Sequence, residues 1–77
     1  MEELNGIEPL RVQLAERLAA RIDAGEYPPG SRIPSAAALA EAYGVSQRTA
    51  AQAVSILKER GLVIGVPGRG VFVRPEG

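Results

Sequence analysis

LAEAYGVSQRTAAQAVSILKER, residues 39–60, divides into a short helical run, a tight joint and a longer helical run. In the first run Leu39, Ala40 and Tyr43 recur at i, i+1 and i+4, which puts them on one face of a helix. Gly44 adopts a left-handed backbone at no steric cost and so ends that helix sharply. Val45 is apolar within the joint, as a turn packed on a core requires. Ser46 is a good N-cap, its hydroxyl able to accept from a backbone N–H in the next helical turn. Beyond it Ala50, Ala53, Val54 and Leu57 form an inward stripe, and Gln47, Arg48, Ala51, Gln52 and Ser55 face out. Two helices about such a joint make either an ordinary helical hairpin or a helix-turn-helix, whose second helix can enter a DNA major groove.

The residues downstream separate these readings. Gly61 stands where a helix-ending glycine is expected, with Lys58 and Arg60 in the last turn favouring the helix dipole. Leu62-Val63-Ile64 and Val71-Phe72-Val73 are apolar and largely β-branched, and the loop GVPGRG (residues 65–70) joins them. Two such runs about a turn read as a β-hairpin. A hairpin here either closes the core or serves as a wing. In the second case Arg69, between Gly68 and Gly70, brings backbone and guanidinium close to a phosphate or a minor groove. A helix-turn-helix followed directly by a hairpin is a winged helix. The expected fold class is therefore mainly α with a small β-hairpin, three helices plus a two-stranded wing.

The chain upstream supplies the remaining helix. Residues 1–8 (MEELNGIE) are polar and aperiodic, a flexible arm, and Pro9 suits the first helical position, where its missing N–H costs nothing. Leu10, Leu14, Leu18 and Ile22, with Ala15, make a stripe at helical spacing, and Val12 falls off it toward the surface. Gly25 ends this helix. In GEYPPGSRIP (residues 25–34), Pro28-Pro29-Gly30 forces an extended segment and a turn, and Tyr27 is expected to lay its ring over the end of the first helix. Ser31-Arg32-Ile33 has room for a very short strand, and Ser35 caps a second, alanine-rich helix from Ala36 to Tyr43. The domain reading is an arm over 1–8, a winged helix-turn-helix over 9–74 and a tail or linker start over 75–77.

Composition narrows the chemistry. A chain of 77 residues is one small domain, burying only about 60% of its unfolded surface. It has no cysteine and no histidine, which excludes disulfides and leaves neither the usual zinc ligands nor a Ser-His or Cys-His catalytic pair. No paired carboxylates are predicted in a cleft, so an enzyme is not expected, nor a cofactor or metal. No apolar run approaches the ~20 residues of a membrane span and no signal peptide opens the chain, which makes the cytoplasm the default compartment. Net charge is zero but unevenly spread. Residues 1–29 carry three arginines against six acidic residues, a net of −3. Residues 30–74 carry Arg32, Arg48, Lys58, Arg60, Arg69 and Arg74 against Glu41 and Glu59, a net of +4. Such asymmetry points toward nucleic-acid contact.

At this point the sequence resembles the winged-helix DNA-binding domain of the GntR family of bacterial transcription regulators, from Pro9-Leu10 to Val73. The resemblance rests on Ile22-x-x-Gly25, Pro29-Gly30-Ser31-Arg32-Ile33-Pro34-Ser35, Leu39-Ala40 and Gly44-Val45-Ser46. It continues through Thr49, Ala53, Leu57, Gly61-Leu62-Val63, Gly68-Arg69-Gly70 and Phe72-Val73. It implies a regulator, most often a repressor, that binds a palindromic operator in double-stranded DNA as a homodimer. The third helix is then in the major groove and the wing tip in the minor groove. No small-molecule effector site is expected within this chain. Relatives carry a larger metabolite-sensing and dimerising domain after the wing; the chain ending at Gly77 reads as an excised domain or a stand-alone small regulator, the latter being favoured.

Three positions depart from the family pattern. Ala37 stands where an arginine usually follows the second helix's cap, Gln47 where an arginine commonly follows the turn serine, and Ala51 where a further basic residue is common. Arginine is the best bidentate reader of guanine, so guanine readout is reduced, and Gln47 and Gln52 are candidates to read adenine instead. Arg32, Ser46, Arg48 and Thr49 are assigned to phosphate or edge contacts, which position rather than specify. Ser35, Ser55, Gly68, Arg69 and Gly70 complete the expected DNA-facing set. The alternative is a winged-helix protein-interaction module with little or no DNA affinity, docking through Ala36-Ala37-Ala38 and Ala51. Steep salt dependence distinguishes DNA binding from it.

Overall fold

The computed structural model describes residues 8–75; the expected arm, but for Glu8, and the last two residues of the tail lie outside the described residues. Three helices, α1 (Leu10–Asp23), α2 (Ala36–Tyr43) and α3 (Gln47–Glu59), precede an antiparallel hairpin of β1 (Val63–Val66) and β2 (Gly70–Val73). This is the expected architecture.

Local signals set the helix ends. The Ser35 hydroxyl accepts from the Ala38 N–H at 3.1 Å, and the Ser46 hydroxyl from the Thr49 N–H at 3.0 Å. Each such cap is worth about 1 kcal/mol. Gly44 takes φ +67° and ψ +36°, the left-handed conformation that stops α2 and turns the chain into α3. Gly25 and Gly61 end α1 and α3 in the same way, with paired bonds back into the last turn (Glu26 N–H to Arg21 C=O, Leu62 N–H to Leu57 C=O). Pro9 differs from the expectation. With ψ 137° it is extended, so it stands one residue before the helix as its N-cap, its carbonyl accepting from Val12 and Gln13.

The core lies where α3 packs on α1 and α2 and where β1 closes over α3. The predicted inward stripe of α3 is buried throughout: Ala50, Ala53, Val54 and Leu57. Leu14, Ala15 and Leu18 supply the α1 side, and Leu39, Ala40 and Tyr43 the α2 side. Tyr27 and Val45 pack against this core half-buried, as does Ile22. Leu10, counted on the stripe by its spacing, is 42% exposed, whereas Gln13 is buried. Burial of Gln13 is tolerated because its amide donates to the Glu8 carbonyl at 2.6 Å. Val12 is half-buried rather than fully exposed.

The strands run further than their apolar runs. Val66 pairs with Gly70 and Gly65 with Val71, so Pro67, Gly68 and Arg69 alone form the tip instead of the six-residue loop expected. Ladder bonds use only backbone, and glycine offers its backbone without hindrance. The Arg69 N–H donates to the Val66 carbonyl at 2.9 Å across Pro67-Gly68, with Gly68 at φ +75°. This is the proline-glycine pattern of a type II turn. The short strand expected at Ser31-Arg32-Ile33 is a single bridge, Arg32 opposite Phe72. Bonds from Gly30 to Val73, Val73 to Ser31 and Ile33 to Val71 tie this segment to the free edge of β2. Among the described residues no helix is long and apolar enough to cross a membrane.

Candidate nucleic-acid interface

The edge bridge has a consequence for charge. By pairing opposite Phe72, Arg32 comes to lie over the wing, and a Cβ built on Gly70 would stand 2.6 Å from its Nε and 3.2 Å from its Cζ. Lys58, near the end of α3, lies over the other strand: a Cβ on Gly65 would stand 3.0 Å from its Nζ. Glycines at 65 and 70 thus leave room for two cations to lie close against the hairpin. Arg69 adds a third at the tip, exposed and flanked by Gly68 and Gly70.

Two clefts result. One, of about 510 Å³, is lined by Arg32, Lys58, Arg69 and the wing backbone. The other, of about 350 Å³, lies between α3, the start of α2 and the wing, with Ser35, Ala51 and Ser55 among its lining residues and Arg32 and Lys58 common to both. Among the described residues no acidic side chain lines either cleft. Among the described residues Arg32, Arg48, Lys58 and Arg69 make no ion pair, whereas Arg60 is bonded to Glu16 at 2.8 Å and Arg21 lies 4.0 Å from Glu26. The described residues therefore leave the positive potential on this side without a neutralising partner.

The outward face of α3 carries Gln47, Arg48, Ala51 and Ser55 exposed, with Thr49 and Gln52 half-buried. Gln47, Ala51 and Ser55 follow one another at four-residue spacing, and Lys58 continues the row. Ser46 is engaged as a cap: its oxygen accepts from the Thr49 N–H, and its own proton goes to Thr49 Oγ1 at 3.0 Å. The Thr49 hydroxyl keeps its proton to donate elsewhere.

The expected residues are thus divided. Arg32, Ser35, Ala51, Ser55, Arg69 and Gly70 line the clefts, as does Gly68, while Gln47, Arg48, Thr49 and Gln52 stand outside them on the same helix, and Ala37 is exposed on α2. Lys58 was missing from the expected set. Its place three residues beyond Ser55 was the available signal, and attribution to the helix dipole obscured it.

Gly70 tests this arrangement. At φ +122° it is in a region closed to L-residues, and its Cβ would strike Arg32. Gly70→Ala is expected to cost about 1–3 kcal/mol in urea unfolding. Gly65→Ala, which has no positive φ and meets only the mobile end of Lys58, is expected to change stability by less than about 0.5 kcal/mol.

Comparison with known proteins adds the following. The family described as "Bacterial regulatory proteins, gntR family" matches residues 10–73. The HTH-type transcriptional regulator YieP of Escherichia coli (strain K12) is 39% identical over 75 residues, covering 97% of this chain and 33% of that protein. The mannosyl-D-glycerate transport/metabolism system repressor MngR of the same organism is 37% identical, covering 92% of this chain and 30% of that protein. The chain thus spans about a third of the length of these relatives. Among solved structures, the AraR DNA-binding domain in complex with operator ORX1 superposes with a TM-score of 0.88 at 30% identity, covering 95% of each chain.

Proposed function

The chain belongs to the gntR family of bacterial regulatory proteins, and from that premise we propose that residues 9–74 are the operator-binding domain of a transcription repressor. Helix α3 enters the major groove, and the wing tip, led by Arg69, enters the adjacent minor groove. Two copies bind a palindromic site, each reading one half. The observation that carries this reading is the gathering of Arg32, Lys58 and Arg69, none of them in an ion pair among the described residues, on the side where the outward face of α3 is exposed. Those cations meet phosphates on both flanks of a groove, and counterion release makes the binding steeply salt-dependent. The superposed AraR domain is itself bound to operator DNA, and MngR is named a repressor.

The remaining roles follow from placement. Arg48, exposed in the first turn of α3, contacts a phosphate, as does the hydroxyl of Thr49. Gln47 and Gln52 reach base edges. Titration of mixed-sequence and candidate operator duplexes by fluorescence anisotropy at two salt concentrations tests this. Arg48→Ala is expected to weaken binding to every duplex by roughly fivefold to tenfold and to lower the salt slope by about one unit. Gln47→Ala is expected to reorder preferences among sequences with little change in slope. An affinity that does not fall with salt would refute the DNA reading and leave the protein-docking module.

A further inference from the structure

We infer that α3 is built to read an A·T-dominated half-site, with Ala51 placed against a thymine methyl and Gln47 and Gln52 on adenines. This rests on the major-groove reading above and adds the identity of the bases. Along the exposed row of α3 the chain presents an amide at Gln47, a bare methyl at Ala51 and a hydroxyl at Ser55, and no cation until Lys58.

Each of these groups has a distinct complement in the groove. An amide forms two bonds with adenine, from N6 and to N7; a methyl matches only the C5-methyl of thymine; guanine O6 and N7 call for a guanidinium or ammonium. Arg48, in the first turn, is the one guanidinium on α3. Lys58 and Arg32 are drawn aside over the wing glycines. The cleft beside Ala51 has Val54 and Ala36 in its lining, with Arg32 and Lys58 on its wing side and, among the described residues, no carboxylate to accept from cytosine N4. Guanine and cytosine therefore have no charged partner across the middle of the helix, whereas A·T pairs meet both an amide and a methyl. With Ala37 on the α2 side also a bare methyl, no second guanidinium compensates from there.

Selection of bound duplexes from a random library by the full chain at low salt is the first test. The expected product has half-sites with at most one required guanine. Two or more required guanines per half-site would overturn the inference while leaving DNA binding intact. Enrichment of no sequence despite salt-sensitive binding would also overturn it, and absence of any binding would sink the functional proposal with it.

A second measurement isolates the methyl contact. Replacing individual thymines of the selected site by deoxyuridine removes only the C5-methyl. One position is expected to lose about fourfold in affinity, the worth of one buried methyl, and Ala51→Ser should abolish sensitivity at that position alone. Ala51→Arg, at an exposed helical site, is expected to shift selection toward guanine there. Uniform tolerance of deoxyuridine would refute the role given to Ala51.

Discussion

Replacing Arg32, Lys58 and Arg69 together by alanine is expected to lower affinity for every duplex by on the order of 100-fold at low salt. It should also flatten the dependence of log K on log salt by nearly three units, about 0.9 for each phosphate no longer neutralised. The combination exposes what single substitutions hide. Each cation stands on a different piece of backbone (the segment before α2, the end of α3, the wing tip), yet all three line one cleft. None is in an ion pair among the described residues, so removing them breaks no ion pair there, and the melting temperature should hold within a few degrees. Unchanged slope with reduced affinity would mean that the cations act on wing geometry and not on phosphate. Unchanged affinity would mean that DNA lies elsewhere on the molecule.

The sequence carried those parts of this site that depend on local chemistry. The serine caps at 35 and 46, the left-handed glycine at 44 and the four-residue inward stripe of α3 are each decided by a few neighbouring residues, and each stands as expected. What eluded it depends on elements distant in the chain. Lys58 and Arg32 are 26 positions apart, and nothing local says that both end beside Gly65 and Gly70. The wing was drawn too loose because glycine and proline signal turns, while ladder pairing of Val66 with Gly70 requires only backbone. The roles proposed for Gln47, Arg48 and Gln52 depend on the bases and phosphates opposite them, which no spacing within the chain encodes.

Leu57→Ala is expected to cost about 3 kcal/mol, and Leu10→Ala less than about 0.5 kcal/mol. By spacing alone both leucines lie on inward stripes, and the difference is one of reach. A stripe fixes direction around a helix axis, not how far along it the partner elements extend. Leu57 is wholly enclosed, whereas Leu10, in the first turn of α1, is 42% exposed. Deleting three carbons at Leu57 leaves a cavity between α3 and the elements packed on it, and close-packed surroundings relax only partly. For a domain of this length, total stability is on the order of 4–12 kcal/mol, so the variant loses a large share of it and its urea midpoint falls accordingly. The outward face of α3 is untouched by the change, and on the proposed reading duplex binds only the folded form. Duplex at about 100 times its dissociation constant should therefore return about 2.7 kcal/mol, nearly the whole deficit. If duplex failed to restore the midpoint, Leu57 would be acting on the reading face itself; if Leu10→Ala proved as costly as Leu57→Ala, the start of α1 would be packed against something other than water.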